Sequence, residues 1–214
     1  MAHSSRAIRL GGLGLSALMA VAIAGPAVAQ AEEMDFSDVR VAIGPGGPHP
    51  YFLPMEPGLA DSVEANGLGE SEFRAPPAWD LNDQNQLLNS MAAQGFNAFG
   101  IFPGDANATN AIMSELSAAG FPVMAIAGCV TEPTDAAFCF GTDVANSAYL
   151  GTKALIEAMG GSGKIINVLE VLTDPNTVLR KEGIEEVVAA HPDVEIIQEV
   201  AGIQSAEEAV QKIS

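Results

Sequence analysis

Short apolar runs and longer stretches with apolar residues at helical spacing succeed one another from Val39 to the end of the chain. In residues 39–43 the β-branched Val39, Val41 and Ile43 alternate with Arg40 and Ala42, the pattern of a pleated strand. The Gly- and Pro-rich stretch 44–50 permits neither a helix nor a continued strand. The first strand is therefore expected to end in an open loop that displays His49, Tyr51 and Phe52 at its carboxyl end, the edge at which open α/β sheets bind small ligands. Pro54 and Pro57 fit a first helical turn, Leu59, Ala60 and Val63 share a face, and Asn66-Gly67 closes that helix. A strand over 70–75 is stopped by Pro76-Pro77, with Trp79 and Asp80 in the loop that follows. The next helix, about 83–94, turns Leu87, Leu88 and Met91 inward and ends at Gly95.

The stretch 97–102 is nearly all apolar, as a parallel strand covered on both faces should be. Pro103-Gly104-Asp105 turns the chain, Asp105 or Asn107 can cap a helix carrying Ile112, Met113 and Leu116, and 122–127 is a fourth strand. A short apolar piece, 137–140, leads to Gly141-Thr142-Asp143, after which the rhythm starts again. A helix over about 145–159, a strand over 164–171, a helix opened by Asp174-Pro175 and reaching His191, a strand over 194–201 and a helix opened by the capping box at Ser205 and Glu208 follow. Strands and helices alternating at this spacing require parallel pairing with right-handed crossovers, so the expected class is α/β, a three-layer sandwich. Residues 38–142 make one lobe. Residues 143–214 hold only two strands, too few to cover their own faces, and the chain is expected to be an incomplete copy of a two-lobed protein.

Residues 1–31 stand outside this pattern. Arg6 and Arg9, an apolar Leu10 to Ala24 and small-residue sites at Ala27-Val28-Ala29 and Ala29-Gln30-Ala31 predict a secretory signal peptide, and hence a periplasmic mature chain. No Cys stands at the cleavage site to take a lipid. The chain has nine Lys and Arg against 27 Asp and Glu, and removing Arg6 and Arg9 leaves seven. That balance repels phosphate backbones and argues against nucleic-acid partners. Export places Cys129 and Cys139 where disulfides persist, and closing so short a loop contributes roughly 2–3 kcal/mol.

Motifs with other chemistry are weak. Gly44-Pro45-Gly46-Gly47 lacks phosphate-loop spacing, and Pro45 has no amide hydrogen to donate. Gly160-Gly161-Ser162-Gly163-Lys164 precedes a strand instead of following one. His3, His49 and His191 are not spaced as a metal pair, and His191 is explained by the field at a helix C-terminus. No nucleophile elbow is present, so nothing points to an enzyme, a metal or a cofactor. Aromatic and polar groups at the carboxyl ends of strands remain: His49, Tyr51, Phe52, Trp79, Asp80, Asp105, Thr142, Asp143 and Asn176. Flat rings beside directional hydrogen-bonding groups suit a polyhydroxylated, uncharged solute. For Asp80, Asp105 and Asn176 the competing reading is helix capping, and for Asp105 it is the preferred one.

Over residues 39–214 the chain resembles the ribose- and galactose-type periplasmic sugar-binding proteins of ABC importers. The resemblance rests on His49-Pro50-Tyr51-Phe52 after the first strand, Phe102-Pro103-Gly104-Asp105, Phe121-Pro122-Val123 with Gly141-Thr142-Asp143, and Arg180 with Gly183 after Asn176. It implies two α/β lobes closing on a sugar about a hinge, with delivery to an ABC permease in the inner membrane. It also implies ligand contacts at His49, Tyr51, Phe52 and Asp80 and from the helix start at Asn176 to Arg180, and it places Thr142-Asp143 at a crossing between lobes; with Trp79, read from its place after the second strand, these are the candidate ligand-binding residues. One departure follows the fourth strand, where Ala127-Gly128-Cys129 replaces the acidic side chain that sugar binders commonly offer to hydroxyl groups. A sensor component presenting a bound small molecule to a receptor would use the same lobes.

Overall fold

The protein is described by a computed structural model covering residues 34–203 and 205–213, and Asp35–Ser214 packs as one unit. The expected signal peptide lies outside the described residues. Among the described residues no helix is long and apolar enough to cross a membrane.

Eight elements build the first sheet and its cover. They are β1 (Arg40–Gly44), α1 (Met55–Asn66), β2 (Glu70–Phe73), α2 (Leu81–Ala93), β3 (Ala98–Ile101), α3 (Asn110–Ala118), β4 (Val123–Ala127) and β5 (Cys139–Gly141). The strands pair in the order β2-β1-β3-β4-β5, all parallel. β3 is central and fully buried, which is why its sequence is continuously apolar. β2 and β5 are the edges, and none of their residues is buried. Leu88 and Met91 of α2 and Ile112, Met113 and Leu116 of α3 meet Ala42, Phe99, Ile101, Val123 and Ala125 to form the main core. The helical spacing of these apolar residues is what closes the sheet on that face.

α4 (Val144–Ala158), β6 (Gly163–Val168), α5 (Pro175–Ala189), β7 (Val194–Val200) and α6 (Ala206–Ile213) follow. β6 and β7 form a two-stranded parallel sheet with a register shift between Ile165 and Ile166. Its core is Ile156, Ile165, Val187 and Val194, while Ile166, Val168 and Ile197 face outward. Gly183 lets α5 lie directly on α4, because a Cβ there would fall inside the van der Waals shell of the Ala145 carbonyl oxygen. Ser205 Oγ accepts the Glu208 N–H at 3.2 Å, so α6 opens with the expected cap.

Cys129 and Cys139 are bonded, with Cα atoms 5.6 Å apart. The bridge ties the end of β4 to β5, the last strand before the chain crosses to α4. Phe138 O and Val123 O accept from Ala125 N and Ala137 N at 3.0 and 2.8 Å, so the bridged segment also joins the ladder.

The segment after β1 differs from the open loop that its glycines and prolines predict. Gly44, Pro45, Gly46 and Gly47 are all buried. A Cβ on Gly46 would meet the backbone of Gly104, and one on Gly47 would lie 2.6 Å from Trp79 Cε3. These glycines serve close approach, with Trp79 seated on them. The chain then makes a 3₁₀ turn, Pro50–Phe52, capped by His49 Nδ1, which accepts the Tyr51 N–H at 3.0 Å.

Candidate functional site

The carboxyl ends of β1, β3 and β4 and the N-terminal parts of α4 and α5 enclose a cavity of about 400 Å³. That volume holds a small solute of monosaccharide size with ordered water. One wall is aromatic. Phe52 is only 3% exposed, and its ring lies 5.0 Å from Phe102 and 5.4 Å from Tyr51, both edge to face. Trp79 meets Phe102 at 5.8 Å, and its Nε1–H donates to the Gly104 carbonyl at 2.9 Å, which fixes the indole plane. Phe52 is therefore a wedge as well as a wall, whereas Tyr51, 58% exposed, offers a free face.

The opposite wall is polar. Asn176 and Arg180 stand one helical turn apart on α5, and Glu170 and Asp174 come from the segment between β6 and α5. Asp174 is buried and caps α5, accepting from Asn176 N at 2.8 Å and Thr177 Oγ1 at 3.1 Å. Asn176 Nδ2 reaches across the cavity floor to donate to the Ala127 carbonyl at 2.9 Å. Ala127 has a φ of +58°, a left-handed conformation that costs a non-glycine residue on the order of 1 kcal/mol and turns the end of β4 past the site. Thr142, Val144, Ser147 and Ala148 complete the lining.

Seven of the residues expected at a site thus share one cavity: His49, Tyr51, Phe52, Trp79, Thr142, Asn176 and Arg180. Asp80 and Asp143 lie outside its lining. Asp80 Oδ1 accepts from Asn82 N and Asp83 N at 2.8 and 3.0 Å, and Asp143 Oδ1 from Asn146 N at 3.1 Å. Each carboxylate serves the start of its own helix, α2 and α4, where unpaired amides and the helix dipole favour negative charge. Asp105 Oδ1 accepts from Asn107 N and Ala108 N in the turn that precedes α3, whose own N-cap position, Thr109, makes no side-chain cap bond, so the cap expected on that helix falls on the turn before it. His191 has Nδ1 2.7 Å from the Val187 carbonyl in the last turn of α5, away from the cavity lining.

Two supporting residues carry no signal that the apolar pattern could expose. Gln84 is fully buried, donating to the Gly44 and Phe102 carbonyls at 3.1 and 2.8 Å and accepting from Gly104 N at 3.1 Å. One amide thereby ties together the strand ends and the loop that seat Trp79. Glu170 is the second. It lies 3.2 Å from His49 and supplies a carboxylate to the wall facing the rings, where the stretch after β4 has none. Among the described residues no cluster of three metal-ligating side chains exists.

Burial holds the Asp174 carboxyl above the ordinary carboxylate range, against the opposing bonds from Asn176 and Thr177. A raised folded-state pKa means that this group's contribution to stability is complete while the carboxyl is protonated, below its unfolded value. The contribution is lost as pH rises through the folded value. Asp174→Asn keeps an oxygen for the Asn176 N–H and removes the charge. Urea unfolding at pH 4 and pH 7 should then show the variant gaining stability relative to the native chain as pH rises. A pH-independent difference would mean that the buried charge is compensated elsewhere.

A family described as "Periplasmic binding protein domain" matches residues 41–214. A D-apiose import binding protein of Actinobacillus succinogenes is 23% identical over 155 residues, covering 72% of this chain and 49% of its own. A xylitol-binding protein of Mycolicibacterium smegmatis is 25% identical over 134 residues, covering 63% and 38%. The chain therefore spans about half the length, or less, of these curated relatives. Among solved structures, an ABC transporter solute-binding protein of Burkholderia graminis in complex with D-arabinose superimposes with a TM-score of 0.77 at 16% identity, covering 84% of this chain and 62% of that one.

Proposed function

The chain belongs to the periplasmic binding protein family, and from that membership we propose that it is an exported solute-binding protein that holds a sugar or polyol in the cavity and delivers it to an ABC permease. The observation that carries this reading is the pairing, in about 400 Å³, of an aromatic wall with a polar one. Tyr51 and Trp79, with Phe52 packed behind them, offer ring faces to the C–H side of a sugar ring, while Asn176, Arg180 and Thr142 offer directional bonds to its hydroxyls. No bond is made or broken. The ligand contacts residues on both sides of the Thr142 crossing, so binding favours the arrangement in which the two walls approach, a hinge motion driven by differential affinity. Periplasmic residence follows from the signal peptide expected in residues 1–31. The relatives that bind apiose and xylitol, and the structure that holds arabinose, support a pentose or pentitol as the first solute to test.

Titration calorimetry with xylitol, D-apiose and D-arabinose tests the proposal on the native chain and on Arg180→Ala. Arg180 is exposed on α5, and what it gives the fold is a charge attraction that favours the Asp174 carboxylate, so its removal should cost little stability. A lost charge-assisted hydrogen bond is worth about 1.5–3 kcal/mol, which corresponds to an affinity roughly 10- to 150-fold weaker. Equal affinity in the two proteins would remove Arg180 from the site. Failure of every pentose and pentitol to bind the native chain would overturn the solute class.

A further inference from the structure

The cavity's two walls are joined by one imidazole. His49 stands at the head of the turn that presents Tyr51 and Phe52, while Glu170 stands between β6 and α5, 121 residues later. The Nδ1 of His49 accepts the Tyr51 N–H at 3.0 Å. A ring nitrogen that accepts a hydrogen bond carries no hydrogen, so the proton of the neutral imidazole sits on Nε2. Nε2 points at Glu170 Oε1, 3.2 Å away. Capping the turn therefore fixes the tautomer that donates across the cavity. Unlike Asp174, Glu170 caps no helix; its backbone carbonyl accepts from Gly202 N at 2.8 Å, which anchors the segment beyond β7 to the same point.

Resting on the function proposed above, we propose that His49 and Glu170 form a latch between the two walls of the cavity. His49 is a positioning residue that couples the ring-bearing turn to the start of α5. The other charged groups facing the pair from the cavity are Asp174 and Arg180. The side chains of His49 and Glu170 are 38% and 48% exposed, so the latch is weak and reversible, as a contact between moving walls must be. A ligand that draws the walls together finds Nε2–H and Oε1 already paired and aligned. Losing the pair should therefore act on how long the ligand is held.

Two variants separate the latch from the cap. His49→Asn retains an oxygen for the Tyr51 N–H, since Asn is a good N-cap, but is too short to reach Glu170. Glu170→Ala removes the acceptor and leaves the cap untouched. The two native cysteines are consumed by their disulfide, so cysteines introduced at the exposed Asp61 and Glu186 can be spin-labelled selectively. Without any solute, both variants should broaden the distance distribution between α1 and α5 relative to the native chain. With xylitol, both should release ligand about 1.4- to fivefold faster, the equivalent of the ~0.2–1 kcal/mol that exposed pairs contribute. Distributions identical to the native one would overturn the latch. If no pentose or pentitol binds the native chain, the solute class proposed above fails, and the solute-free distributions still decide whether the latch exists.

Discussion

Replacing Phe52 by alanine is expected to lower the unfolding free energy by about 3–5 kcal/mol, as truncation of a buried aromatic does. The ring is 3% exposed and sits among Phe102 at 5.0 Å, Tyr51 at 5.4 Å and Phe73 at 6.4 Å. Its removal leaves a hole between the 3₁₀ turn and the ends of β2 and β3, and the rigid Pro50 limits how far the turn can collapse into it. Phe52→Leu should recover most of the loss. Tyr51→Ala separates packing from recognition, because a ring 58% exposed contributes little to stability yet presents its face to the cavity. That variant should unfold within about 0.5 kcal/mol of the native chain and bind xylitol more weakly. Urea denaturation checks the first claim and calorimetry the second. A Phe52→Ala protein as stable as the native one would mean that the turn repacks and the ring is no wedge.

The second large effect is at Gly183. Helix propensity alone makes Gly→Ala in the middle of α5 favourable by about 1 kcal/mol. Packing reverses the sign. A Cβ at this position would meet the Ala145 carbonyl oxygen, and it would lie 3.1 Å from Tyr149 N, both of them backbone atoms of α4 that no rotamer change can move. Overpacking of this kind costs roughly 1–3 kcal/mol, and the backbone contact places it at the upper end, so a net loss of about 2 kcal/mol is expected. α4 carries Val144, Ser147 and Ala148 into the cavity, and α5 carries Asn176 and Arg180. Parting the helices therefore also moves the α4 lining away from the polar side chains of α5. Gly183→Ala should lower both the urea midpoint and solute affinity; a stabilised variant would show that α4 and α5 slide apart without strain.

The sequence made some of these features readable and hid others for physical reasons. β3 and β4 could be read because a parallel strand buried on both faces has no room for polar side chains. β5 could not be told from a loop. It is an edge strand of three exposed residues held by its ladder to β4 and by the disulfide, and neither of these leaves a periodic trace. Asp80 and Asp143 illustrate an ambiguity of chemistry. An aspartate at a strand's carboxyl end is also an aspartate before a helix, and the amides two or three residues on are always nearer than a ligand. The buried Gly46 and Gly47 read as part of an open loop, because the indole and the Gly104 backbone that need their missing side chains arrive from 30 to 60 residues away along the chain. Gln84 and Glu170 are the same case in side-chain form. Gln84 occupies a place on the apolar stripe of α2, and only the assembled strand ends show what its amide holds. Glu170 falls within the stretch read as a strand over 164–171, but β6 ends at Val168, and Glu170, two residues beyond it, lines the cavity.

The chain has a single tryptophan, and it is the one seated on Gly47 against Phe102 in the cavity wall. Its emission therefore reports on the site alone, with no second indole to dilute the signal. Tyr51, one of only two tyrosines, stands in the same wall and can pass excitation to it. Occupancy of the cavity can thus be followed optically, in solution and without a label.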